Sequence, residues 1–151
     1  MIKYRTTLAV LAGLLVATSS YGLDKTGRDR LIESLVRVES NGQSGLVGDH
    51  GKAYGILQIH AEMVSEANRI LGYVAYSHED MFDPAAARKV ASIVLEHYDS
   101  HIQRTTGREA TAKELAFIWN GGGAAWKRVL SPRHDTKQTN LERYWSKVSS
   151  R

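Results

Sequence analysis

At 151 residues, 42% of them hydrophobic, the chain has the size of one small globular domain that buries about two thirds of its unfolded surface. Lys and Arg number 20 against 16 Asp and Glu, and two of the positives, Lys3 and Arg5, sit in the first five residues, so the body is close to neutral. No Lys/Arg run or RNA-binding aromatic motif supports a nucleic-acid partner, whereas a mildly basic body suits an anionic one such as a cell-wall polymer.

Met1 to Arg5 form a short basic region, and Leu8 to Ala17 an apolar run broken only by Gly13, with Thr18-Ser19-Ser20 and Gly22 behind it. This layout predicts a secretory signal peptide over residues 1–22, with Ser20 and Gly22 at the small-residue positions of its cleavage site. The apolar run falls well short of the roughly 20 residues of a spanning helix, so the mature chain is expected not to span a membrane. An uncleaved anchor is the alternative. The expected product is one domain over residues 23–151, periplasmic or secreted. The absence of cysteine excludes a disulfide scaffold, a thiol nucleophile, a lipoprotein anchor and cysteine-zinc sites, so an exported domain must be held by its core.

From about Thr26 to Glu39 the pattern is helical: Leu31, Ile32, Leu35, Val36 and Val38 share one arc, and Asp29, Arg30, Glu33, Ser34 and Arg37 face away. Glu39 projects into the apolar arc, one turn beyond Leu35. Partial desolvation there favours the neutral carboxyl and raises its pKa, which is the state a general acid needs near neutral pH. The competing reading lets Glu39 escape to water from the last turn.

Gly42, Gly45, Gly48 and Gly51 then rule out regular helix. Val47 and Tyr54 to Ile59 predict a short hairpin or extended turn. Gln58, polar inside that apolar run, serves either a sugar hydroxyl or acetamido group, or the neighbouring backbone. A second helix is predicted over Ala61 to Leu71, ended by Gly72, and a polar connection over Tyr73 to Met81. Asp83-Pro84 opens a third helix with Asp83 as its cap. Its stripe of Ala87, Val90, Ala91, Val94, Tyr98 and Ile102 marks the central core helix, and Gly107 closes it. Thr111 and Glu114 make a capping box for a fourth helix through Leu115, Ile118 and Trp119, which breaks at Asn120 to Gly123. A short helix over Ala124 to Leu130 and a charged loop over Ser131 to Gln138 follow. A second capping box, Thr139 with Glu142, opens a last helix carrying Leu141, Tyr144, Trp145 and Val148 on one side. The class is mainly α, with at most a very small β-hairpin.

Other chemistries lack their residues. His97 and His101 have metal-ligand spacing but no third ligand, and Phe82 stands where a metalloprotease pattern from His78 needs histidine. No Gly-x-Ser-x-Gly elbow, phosphate loop or dinucleotide motif occurs. No metal and no cofactor are expected.

Three features remain: Glu39-Ser40, Gly55-Ile56-Leu57-Gln58 and Ile118-Trp119-Asn120-Gly121-Gly122. In this order, with Tyr144-Trp145 on the last helix, they resemble the soluble lytic transglycosylase and goose-type lysozyme family, of the lysozyme-like superfamily. That family shows Glu-Ser at a helix end, Gly-Leu-Met-Gln, Ala-Tyr-Asn-Ala-Gly and a late Tyr-Val. The segment from Gly48 to Gly55 also looks like the goose-type stretch before its Gly-Leu-Met-Gln. The resemblance covers Arg28 to Val148 and implies a lysozyme-like α domain that cleaves peptidoglycan glycan strands.

Carried over by position, Glu39 is the catalytic acid and Ser40 supports it or the substrate. Gln58 and Asn120 line the glycan groove, and Tyr144 hydrogen-bonds and orients Glu39. Gly55 and His60 count among the substrate-binding or supporting residues. Ile118-Trp119 departs from Ala-Tyr and makes the groove floor bulkier. His60 stands where goose-type enzymes place an aspartate, while Asp49 matches an aspartate of the preceding segment.

Two mechanisms follow from the resemblance. An inverting muramidase pairs Glu39 with Asp49, its carboxyl groups about 6.5–9.5 Å apart to admit a water. A lytic transglycosylase uses Glu39 alone on the MurNAc-GlcNAc β-1,4 bond and forms a 1,6-anhydroMurNAc end. His60 in the aspartate slot, with Glu-Ser, favours the lyase. A third reading, a non-catalytic peptidoglycan-binding component of an envelope-spanning or phage assembly, is opposed by Glu39. A monomer is expected, serving a secretion, conjugation or phage assembly as small members of this family often do.

Overall fold

The computed structural model describes residues 23–122, 125–131 and 136–150. The expected signal peptide lies outside the described residues, as do Gly123, Ala124 and residues 132–135 of the charged loop.

Helix α1 runs Lys25–Glu39, where the Asp24 carboxylate caps it by accepting the Gly27 N–H at 2.7 Å. Its apolar arc is buried through Leu31, Ile32, Leu35 and Val36. Three two-residue strands follow: β1 (Val47–Gly48), β2 (Ala53–Tyr54) and β3 (Ile59–His60), all antiparallel in the order β1-β2-β3. The β element is as small as expected but carries one strand more than a hairpin. Helix α2 spans Ala61–Leu71, with Gly72 at positive φ as its cap. Central helix α3 spans Pro84–Thr106 and buries Ala87, Val90, Ala91, Val94, Leu95, Tyr98 and Ile102. Helix α4 (Ala112–Gly121) carries the full Thr111–Glu114 capping box. The last two helices are α5 (Trp126–Leu130) and α6 (Thr136–Ser149).

Two local expectations are corrected. Helix α6 starts one turn ahead of Thr139, because Lys137 and Gln138 are themselves good helix formers and carry the helix back to Thr136. The connection after α2 is not wholly polar. Its short 3₁₀ turn, Glu79–Phe82, sends Met81 fully into the core.

That turn holds the sheet in place. Tyr54 stacks on His78 with ring centroids 3.8 Å apart and on Phe82 at 4.6 Å, and His78 Nε2 lies 2.7 Å from the Ile59 carbonyl oxygen. Gly55, at φ +71°, lets the backbone pass so close that a Cβ there would lie 1.9 Å from the Met81 carbonyl. On the far side of α3, buried Asp99 accepts from Arg28 Nη1 at 3.1 Å and from the Ala110 N–H at 2.8 Å. These bonds tie α1, α3 and the turn before α4 together and satisfy a charge that burial alone would make costly.

Candidate active site

Between the sheet and the helices lies a cleft of about 680 Å³. The sheet side supplies Asp49, Ala53, Gln58, Ile59 and His60, and α2 supplies Glu62, Met63 and Glu66. Val94 and Tyr98 come from α3, and Ile118 to Gly122 from the end of α4. Glu39, the last residue of α1, opens into this cleft. The helical arc therefore carries its carboxyl into a half-buried position rather than out to water.

Glu39 receives a hydrogen bond from another helix, α6. The Tyr144 hydroxyl of α6 donates to Oε1 at 2.5 Å, and Trp119 of α4 borders the same cleft. Burial pushes the Glu39 pKa up, and it outweighs the Tyr144 hydrogen bond and the nearby Trp119, His60 and Lys147, which pull the other way. The result is a carboxyl that holds its proton to higher pH than an ordinary glutamate. Tyr144, buried beside this carboxyl, has its own pKa raised by burial and by the negative charge of Glu39, so it remains a protonated donor.

Ser40 is buried, and its hydroxyl is occupied: it donates to the Ile56 carbonyl at 2.7 Å and accepts the Gly42 N–H at 3.0 Å. It thus fastens the end of α1 to the loop before β3. Gln58, at φ +46°, donates from Nε2 to the carbonyls of Gly55 at 2.9 Å and Leu46 at 3.2 Å. Of its two expected uses, the nitrogen end takes the backbone one, while the side chain still borders the cleft. Its oxygen packs on Gly48, where an added Cβ would lie 2.0 Å away. Asn120 lies exposed along the α4 edge. Gly55 stands behind the wall, against Met81, rather than in it.

Asp49 lines the cleft, but its carboxylate pairs with His60, with Oδ2 3.4 Å from Nε2 and both side chains about half exposed. The pairing follows from the sheet, since the β2–β3 register sets Ala53 opposite His60 and brings the β1 end alongside. His60 is the N-cap residue of α2 but makes no side-chain cap bond, and its ring borders the cleft.

Trp119 is buried and lines the cleft with Ile118, as the bulkier floor expected of them implies. One cleft feature was not foreseen. Glu62 and Glu66, four apart on α2, also border the cleft, and that spacing was the available signal. Glu66 accepts from Tyr98 at 3.3 Å and pairs with Arg69 at 2.7 Å, and the Arg69 bonds hold its pKa below the usual carboxylate value. His97 and His101 make ring contacts with Tyr98 and Trp126. Among the described residues no group of three or more His, Asp or Glu side chains is placed to hold a metal ion, and no helix is long and apolar enough to cross a membrane.

The family model described as Transglycosylase SLT domain matches residues 18–141, a span that takes in every cleft residue, while Tyr144 lies just beyond its end. No curated protein and no solved structure matches the chain.

Proposed function

The chain belongs to the transglycosylase SLT domain family, part of the lysozyme-like superfamily, and on that premise we propose that it is a lytic transglycosylase of peptidoglycan with Glu39 as its acid and base. The observation that carries the reading is the half-buried Glu39 carboxyl, its pKa raised by burial, held by Tyr144 at 2.5 Å inside the cleft.

In this reading protonated Glu39 gives its proton to the oxygen of the MurNAc-GlcNAc β-1,4 bond, and the bond from C1 to that oxygen breaks. The carboxylate then takes the proton of the muramoyl 6-hydroxyl as O6 bonds to C1. Glu39 is protonated again, and a 1,6-anhydroMurNAc end has formed without water. The raised pKa suits the first half and the Tyr144 hydrogen bond to the carboxylate suits the second. Ser40 supports Glu39 through the backbone, Gly55 supports the sheet wall, and Gln58, His60 and Asn120 border the glycan. Neither a metal nor a cofactor enters this scheme.

The hydrolase reading keeps one observation, that Asp49 borders the same cleft. Its carboxylate is engaged with His60, which favours the lyase. We assign residues 1–22 as the signal peptide, residues 23–151 as the enzyme domain, the periplasm or exterior as its location, and glycan strands as its partner. Service to a secretion, conjugation or phage assembly belongs to the same proposal.

Residues 23–151, incubated with peptidoglycan sacculi, are expected to release muropeptides lighter by one water than hydrolysis products, as read by mass spectrometry. Reducing ends in their place sink the lyase and promote Asp49. Release by Glu39→Gln at the wild-type rate sinks the assignment of the acid.

A further inference from the structure

A second cavity, also about 680 Å³, lies between α1 and α6 and shares no lining residue with the cleft. At 3.6 residues per turn, Arg30, Ser34 and Arg37 fall on the side of α1 opposite Glu39, so this groove opens on the back of the helix that carries the acid. Its volume is that of a small-ligand site, for which about 300–1,000 Å³ is usual. Buried Leu31 and Val148 line it, together with Trp145 of α6, which is half-buried and leaves part of its indole uncovered.

The charges around the groove are unevenly matched. Asp29 and Glu33 line it, but Asp29 is bonded to Lys25 at 2.8 Å and Glu33 to Arg88 at 2.7 Å. Arg30 and Arg37 are exposed, and neither forms an ion pair among the described residues. Arg37 donates instead to the Ser34 hydroxyl at 2.8 Å. An uncovered indole beside two exposed guanidinium groups suits an anion with an apolar face, because the indole offers apolar area and each guanidinium a fork for a carboxylate. Residues 1–22 do not suit it, since their charges, Lys3 and Arg5, are positive. The large apolar side chains that a second copy exposes, Val47, Tyr73 and Val74, bring no charge for the arginines.

We propose that this groove is a second peptidoglycan site, which holds the wall without cutting it: a sugar ring covers the Trp145 indole, and stem-peptide carboxylates pair with Arg30 and Arg37. The proposal rests on peptidoglycan being the substrate of the cleft. Two sites on separate faces that engage one polymer hold it longer than either does alone, because release from one leaves the other attached. The groove therefore keeps the enzyme on the wall between cuts.

The test is an NMR titration of isotope-labelled residues 23–151 with a disaccharide-tetrapeptide muropeptide, which has no MurNAc-GlcNAc bond to cut. The Trp145 indole and the Ser34 and Arg37 amides are expected to shift with a midpoint of their own, apart from that of the cleft residues. Chitotetraose, which has the sugar rings but no carboxylate, should bind the groove about tenfold more weakly. Replacing both arginines, Arg30→Gln with Arg37→Gln, should weaken muropeptide binding there about tenfold, and added salt should weaken it in the wild type. Trp145→Ala and the double arginine variant should each be retained about tenfold less on pelleted sacculi, with turnover of short soluble glycan within about twofold of wild type. A wild-type Trp145 indole unmoved by saturating muropeptide overturns the proposal, and needs no variant to fold. Groove binding indifferent to the arginines overturns it too, as does a loss of soluble turnover equal to the loss of retention. Trp145 shifts that follow protein concentration, with dimers in sedimentation, overturn it in favour of a second copy. Should residues 23–151 fail to cleave glycan strands, the lyase reading falls, yet the titration still reports whether the groove binds muropeptide.

Discussion

The two walls of the cleft are built differently. The helical wall, from α1, α4 and α6, has regular backbone and supplies Glu39 and its hydrogen-bond partner Tyr144. The sheet and the turn that leads into it hold all four non-glycine residues with positive φ among the described residues, Asn41, Asp49, His50 and Gln58, of which Asp49 and Gln58 line the cleft. Left-handed backbone at a residue with a side chain costs of order 1–3 kcal/mol and persists only where its surroundings enforce it. Here the enforcing contacts are Ser40 on Ile56, Gln58 on Gly55, and the stack of Tyr54 on His78. Packing on the helical side sets how acidic the acid is, and the strained side sets what stands opposite it.

Breaking the helical wall at its functional group should have the largest effect. Glu39→Gln is expected to lower muropeptide release by at least about a hundredfold. The same substitution should stabilise the fold at pH 8. A carboxyl whose folded pKa lies above its unfolded value is favoured while protonated, and that stability is lost as pH rises through the folded pKa. Glutamine carries no such penalty. Its thermal midpoint should therefore exceed the wild type's at pH 8, and the gap should close below about pH 4. A gap that stays constant with pH would show that Glu39 is not buried at a cost.

Tyr144→Phe comes next, at about tenfold to a hundredfold in kcat. Its hydroxyl favours the ionised carboxyl, so removing it raises the Glu39 pKa and moves the alkaline limb of the pH–rate profile upward. A downward move would reverse the electrostatics given above.

On the sheet side, Ser40→Ala should cost about 1–3 kcal/mol, read from denaturant unfolding, since it strands the Ile56 carbonyl and the Gly42 N–H. Asp49→Asn should be the mildest, with less than about fivefold loss of rate and anhydro products retained, because Asp49 acts only through exposed His60. Loss of all activity in that variant would make the sheet wall a partner in catalysis and erase the division between the walls.

What the sequence made legible follows the same division. Helices α2 to α4 begin and end where caps and glycines announce them, since those signals are local: Gly72, Asp83-Pro84, Gly107 and the Thr111–Glu114 box. The burial of Glu39 was also readable, because helical periodicity alone carries it into the apolar arc. Its partner was not. Tyr144 meets it across 105 positions, and only the family resemblance pointed there. The Asp49–His60 pair depends on the register of three two-residue strands, which hydrophobic alternation over so few residues cannot fix. At Thr139 a correct local signal was overruled by good helix formers upstream.

The bond between Glu39 and Tyr144 closes a chain segment of 105 residues. Contacts of such sequence separation bear the full entropy of loop closure before they contribute anything, so they form late, when α6 docks on the rest. The first helix therefore carries its carboxyl through synthesis and early folding without the hydroxyl that steadies it. The reactive arrangement is completed by the arrival of the C-terminal helix, and a chain cut short of Tyr144 keeps the glutamate but not the enzyme.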